Sequence, residues 1–143
     1  MVLVVKDKEY KIKYAYEPTL KQKILSRLHT VTKKMNGQNE EDNLVSIEDL
    51  LLFVPELLLV GLQKCNQDFK YDYDTNEGKE EQLNKIYNIL EDYTEDKNND
   101  LMQLFNDLQE ELLNDSFLSA MFRKEQETIE KVENATVKQI QEN

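Results

Sequence analysis

Three oxygen-bearing side chains at alternate positions, Asp72, Asp74 and Asn76 in the run NQDFKYDYDTNEG, are the nearest this sequence comes to a metal site. The spacing matches the opening of a calcium-binding EF loop, where carboxylate and amide oxygens alternate towards a hard cation. The pattern then fails. The glycine such a loop needs would fall at Glu77 and its bidentate carboxylate at Leu83. A turn in which Asp and Asn accept local backbone N–H groups is the reading kept, with no metal and no cofactor. His29 is the only histidine, which excludes a His-based metal cluster or a two-histidine dyad, and no Ser or Cys motif accompanies it. An exposed or capping role is expected for it. The chain has no Gly-rich phosphate loop, nucleophile elbow or Cys/His cluster. Its acidic residues are so numerous that no particular carboxylate pair is informative, so no catalytic residues are assigned and no enzymatic activity is expected.

The elements that would position any site begin with the stretch SIEDLLLFVPELLLVGLQKC, from Ser46 to Cys65. Its apolar residues cover nearly the whole circumference of a helix, the pattern of an element surrounded by others. Ser46 and Asp49 form a capping-box variant that marks a helix start, and Pro55 predicts either two short helices or one bent one. Asp49 and Glu56 interrupt the run, leaving apolar blocks too short for a membrane span of roughly 20 residues.

Before this core, Val2–Val5 is a β-branched run, and Tyr10, Ile12, Tyr14 and Tyr16 alternate with Lys11, Lys13 and Ala15. With Lys6–Glu9 as the connection, residues 1–16 read as an antiparallel hairpin, tyrosines inward, that must rest on a helix. Pro18 then opens a helix whose stripe is Leu20, Ile24, Leu25, Leu28, Val31 and Met35. Asn36-Gly37 ends it, and 38–43 forms a polar loop. Lys79–Thr94 is an amphipathic helix with Leu83, Ile86, Tyr87, Leu90 and Tyr93 on one stripe. Asn99 or Asp100 caps a last long helix running to about Val132. The fold class expected is mainly α: four to five helices in a single domain over 1–122, with a short N-terminal β-hairpin. Residues 123–143 are expected to form a polar C-terminal extension, partly disordered.

Composition bounds the function. The chain has 143 residues, 33% of them charged, a formal net charge of −11 and one cysteine. Cys65 has no internal disulfide partner and no basic-then-apolar signal follows Met1, so a reducing cytoplasm is expected. The net charge opposes a nucleic-acid groove, because phosphate binding relies on Lys and Arg. Residues 1–35 nevertheless hold nine Lys/Arg against Asp7, Glu9 and Glu17, while the rest holds nine against 26 Asp/Glu. A solvated surface explains this asymmetry, and it also permits self-association through the basic hairpin end of one copy and the acidic body of another.

The opening VLVVKDKEYKIKY, the helix-rich acidic middle and the closing LMQLFNDLQEELLNDSFLSAMF with a polar tail together resemble the small tail assembly chaperones of long-tailed phages and prophages of Gram-positive bacteria. The resemblance covers most of the chain as an order of elements and is specific in the closing stretch. It implies a helical, non-enzymatic protein of the bacterial host cytoplasm, absent from the mature virion. Such a protein binds and solubilises the tape measure protein and helps tail tube subunits assemble around it. A tape measure protein is a long helical chain with apolar faces, so its escort needs adaptable apolar surface and solubilising charge. Leu101, Phe105, Leu108, Leu112, Phe117 and Phe122 are the candidate partner-binding residues. A partner of another kind is the alternative: an acidic nucleic-acid mimic that occupies a DNA-binding host or phage protein.

Overall fold

The computed structural model describes residues 1–35 and 40–121, and its first element is set by a turn. Lys6 and Asp7 take φ values of 47° and 67°. Two successive positive φ values characterise a type I′ turn, whose twist matches that of antiparallel strands. Strand β1 (Val2–Val5) therefore pairs with β2 (Lys8–Lys11) in the register Val2↔Lys11 to Val5↔Lys8. Leu3 and Val5 point inward while Val2 and Val4 face solvent, and β1 lies against helix α4 (Lys79–Glu95). The second strand is shorter than its alternation implied. Beyond Lys11 the chain stays extended, but Lys13 N–H donates to the Gly61 carbonyl, 2.9 Å, instead of to a strand. Ile12 and Tyr14 are buried there; Tyr16 is exposed.

The fold is mainly helical, as expected, with this hairpin as its only sheet among the described residues. The helix expected from Pro18 to Met35 is two helices, α1 (Tyr16–Lys21) and α2 (Ile24–Met35). Lys23 separates them with φ 54°. The cause is tertiary: the buried Gln22 side chain donates to Tyr73 O (3.3 Å) and Asn76 Oδ1 (2.9 Å) and accepts from Lys79 Nζ (2.7 Å).

Helix α3 (Glu40–Leu62) is the centre of the fold, packed against α2, α4 and α5 (Leu101–Asn114). It is one uninterrupted helix that starts before Ser46, so part of the loop expected at 38–43 is helical and the Ser46 capping box does not form. Ser46 Oγ instead donates to the carbonyl of Lys34, 2.9 Å, serving one of the acceptors left free at the end of α2. Pro55 sits inside α3 without dividing it. The acceptor it cannot serve is the carbonyl of Leu51, an exposed residue beside solvent, while the flanking Val54, Leu57 and Leu58 are sealed in the core.

At the end of α4, Asn99 Nδ2 donates to Tyr93 O (2.9 Å), and Asp100 Oδ1 caps α5 by accepting from Met102 N–H (2.9 Å). The last helix does not run on to Val132. It stops at Asn114, where Ser116 Oγ turns back to the Leu112 carbonyl and accepts the Leu118 N–H at 3.1 Å. Such a local serine competitor for helix hydrogen bonds ends the run. The extension 123–143 lies outside the described residues, as does Asn36-Gly37.

Candidate partner-binding surfaces

Helix α3 changes character along its length, and the change creates the surface of interest. From Phe53 to Gln63 every residue except the half-buried Glu56 is buried. In the first half five apolar residues are left exposed among the described residues. Leu44 is 71% exposed, Leu52 54%, and Val45, Ile47 and Leu51 are exposed as well. At about 100° per residue these five fall in the order Ile47, Leu51, Leu44, Leu52, Val45 around one broad side of the helix. Leu50 and Phe53 on the opposite side are buried.

The strip continues into a shallow cleft of about 190 Å³ lined by Leu51, Val54, Pro55, Tyr87, Leu90 and Leu101. Tyr87 is itself exposed. Exposed apolar residues in this number, with the exposed Glu48 between Leu44 and Leu52 and with Glu91 and Thr94 bordering the cleft, have the make-up of a protein-binding surface.

The six residues singled out from the sequence divide among several places. Leu101 is half-buried and belongs to this cleft. Phe105, Leu108 and Leu112 are core residues at 0–2% exposure and offer no surface in this fold. Their stripe on α5 is consumed by packing on α3, which an amphipathic pattern cannot distinguish from a stripe reserved for a partner. Phe117 is exposed, but it packs edge-on against Tyr16, 5.2 Å between ring centroids. Phe122 lies outside the described residues. The residues that sequence reasoning missed are Leu44, Val45, Ile47, Leu51, Leu52 and Tyr87. The all-round apolar pattern of α3 reads as a buried element along its whole length, so no sequence signal separates its exposed first half from its buried second half.

A second feature borders the strip. Between α2 and α3 runs a groove of about 620 Å³ with Val31, Leu52 and Phe53 among its lining, and Lys21, Lys23, Arg27, Lys34 and Lys79 around it. Two of these cations meet Glu56, whose Oε2 accepts from Arg27 Nη1 (3.3 Å) and Lys79 Nζ (3.0 Å), and the Arg27 guanidinium lies 5.4 Å from the Phe53 ring centroid. Burial pushes the Glu56 carboxyl upward, but Lys79 and Arg27 outweigh it and hold the group below the usual glutamate range.

The turn at 72–76 closes one end of this groove. Asp72 Oδ1 accepts the N–H groups of Asp74 (2.8 Å) and Thr75 (3.1 Å), and these bonds, Thr75's first, lower the Asp72 carboxyl below its ordinary value. Asp74 meets Lys21 at 2.7 Å, and Asn76 Oδ1 accepts from Gln22. The three EF-like side chains thus serve separate partners: the expected turn forms with Asp72 accepting local backbone N–H groups, but Asn76 binds the distant Gln22 instead of local backbone. Among the described residues no cluster of three or more His, Cys, Asp or Glu side chains is placed to hold a metal ion. His29 and Cys65 are both exposed. No described helix is long and apolar enough to cross a membrane. No protein-family model, curated protein or solved structure matches this chain significantly.

Proposed function

We propose that this protein is a non-enzymatic chaperone of the phage tail assembly kind. In this reading it holds an amphipathic helix of a tape measure protein in the host cytoplasm, keeps it soluble and releases it to growing tail tube. The observation that carries the reading is the exposed apolar strip Leu44, Val45, Ile47, Leu51 and Leu52 on a chain of net charge −11. Apolar surface left over after folding binds another apolar face, and the surrounding charge keeps the free protein from aggregating. An amphipathic helix in an apolar groove is the recognition mode such a strip suits. The order of elements and the closing LMQLFNDLQEELLNDSFLSAMF support the same family resemblance. In this reading the partner surface lies on α3 rather than α5, with Leu101 the residue common to both.

Coexpression with the tape measure protein tests the reading. The wild type is expected to raise the soluble fraction of that protein, and Leu44→Glu/Leu51→Glu to abolish the gain. Both positions are exposed, so the variant is expected to keep its stability within about 0.5 kcal/mol. A gain that survives in the folded double variant would remove α3 as the binding surface, and no gain with the wild type would remove the function.

A further inference from the structure

The groove between α2 and α3 is opposite in sign to the molecule that carries it. Among the described residues five cationic side chains line it against one lining carboxylate, Asp49, in a chain with a net charge of −11. Arg27 and Lys79 are committed to Glu56, whose side chain is only 17% exposed. The remaining cations are available for exchange. Lys34 pairs with Asp49 (3.1 Å), and Lys21 with Asp74 (2.7 Å) and Glu17 (3.4 Å), all with side chains that are about one third or more exposed. Exposed pairs of this kind contribute little, so an incoming carboxylate can replace one of them at small cost. Lys23 has no ion pair among the described residues.

The lining is also partly apolar. Val31, Leu52 and Phe53 give a surface that a bare inorganic anion would leave unused. Leu52 belongs to both features, since it lines the groove and stands in the apolar strip of α3. One ligand can therefore span the two. We infer that the groove receives the acidic flank of the same partner helix that lies on the strip: a segment with an apolar face bordered along one side by Asp and Glu. This inference rests on the proposed reading of the strip as a helix-binding surface. It adds the polarity and charge register of the helix that fits, and it fixes direction around the helix axis, because only one flank of the ligand meets the lysines. A helix with lysines on that flank would place cations against Lys23 and Lys34.

Fluorescence anisotropy on the full chain, with three labelled synthetic helical peptides, tests this. The first carries Leu at helical spacing with Glu along one flank, the second has Lys in place of Glu, and the third keeps Glu but has Ser in place of Leu. The Glu/Leu peptide is expected to bind about tenfold more tightly than the Lys/Leu peptide, the equivalent of two or three exposed ion pairs, and the gap is expected to close as salt rises. The Glu/Ser peptide is expected to bind more weakly than the Glu/Leu peptide. Lys23→Glu/Lys34→Glu is expected to erase the preference while the protein stays folded, at a cost of about 1 kcal/mol for the lost exposed Lys34–Asp49 pair. Equal binding of the Glu/Leu and Lys/Leu peptides, or a preference that survives the double variant, overturns the inference while leaving the strip's function standing. Equal binding of the Glu/Ser and Glu/Leu peptides reduces the groove to a plain anion site and also overturns it. Self-association that Lys23→Glu/Lys34→Glu abolishes would assign the groove to a second copy of this chain and overturn the partner assignment. Charge-selective peptide binding without rescue of a tape measure protein would sink the proposed function and leave the groove's specificity intact.

Discussion

Gly61 is where the extended segment after β2 crosses α3, and replacing it with alanine measures how closely the two meet. An alanine Cβ there would sit 2.7 Å from Ile12 Cγ2 and 3.1 Å from both Cζ and the hydroxyl oxygen of Tyr14. Ordinary carbon contacts are about 3.5–4.0 Å, so something must move. Neither neighbour has free space, since Ile12 and Tyr14 are 1% and 2% exposed. Tyr14 is also tied down, because its hydroxyl donates to the Leu57 carbonyl at 2.9 Å, and the Gly61 carbonyl itself receives the Lys13 N–H. Alanine is favoured over glycine in a helix by about 1 kcal/mol. Overpacking opposes it by about 1–3 kcal/mol, and disrupting the buried tyrosine bond adds about 1–3 kcal/mol. The clash wins, and Gly61→Ala is expected to lose about 1–5 kcal/mol. Urea denaturation followed by circular dichroism should show a lower midpoint at unchanged slope. A double-mutant cycle with Ile12→Ala sharpens the test. Ile12→Ala alone should cost about 2–5 kcal/mol, but with Gly61→Ala the sum should fall short of additivity, because the new methyl enters vacated space. Wild-type stability in Gly61→Ala, or additivity within about 0.5 kcal/mol, would refute the crossing.

Two further outcomes follow from the buried polar groups. Glu56→Gln removes the charge that Lys79 and Arg27 share, and should destabilise by about 1–3 kcal/mol at neutral pH. The folded Glu56 carboxyl lies below its unfolded value. Its stabilisation is therefore complete above the unfolded glutamate pKa, near about 4.3, and is lost as pH falls through the folded value. The gap between wild type and variant should shrink below about pH 4 in denaturation curves, and a gap that stays constant down to acid would contradict the pairing. The Tyr71 hydroxyl is buried without a hydrogen-bond partner among the described residues, and burial, followed by the nearby Glu56 charge, pushes its pKa upward. Tyr71→Phe should be neutral or up to about 1 kcal/mol more stable by thermal melting. A clear loss would show that the hydroxyl has a partner.

The sequence by itself determined the elements whose evidence is local. The hairpin follows from the β-branched run Val2–Val5 and the alternation of Tyr10, Ile12 and Tyr14 with Lys11 and Lys13, and α4 and the start of α5 follow from helical stripes and a cap at Asn99 or Asp100, because periodicity and capping act within a few residues. The 72–76 turn was legible for the same reason. Tertiary contacts decided what lies inside and what does not. Gln22 splits a helix because residues some fifty positions away bind its amide, and α3 runs through Pro55 because packing on three other helices outweighs one missing hydrogen bond. The candidate surface belongs to this second class. Phe105, Leu108 and Leu112 read from the sequence as a face kept for a partner, whereas Leu51 and Leu52 sit in a stretch that reads as an element surrounded by others, and Leu44 carries no signal of its own. Burial is not a property of a stripe but of what folds against it, and here α3 covers the first set while nothing among the described residues covers the second.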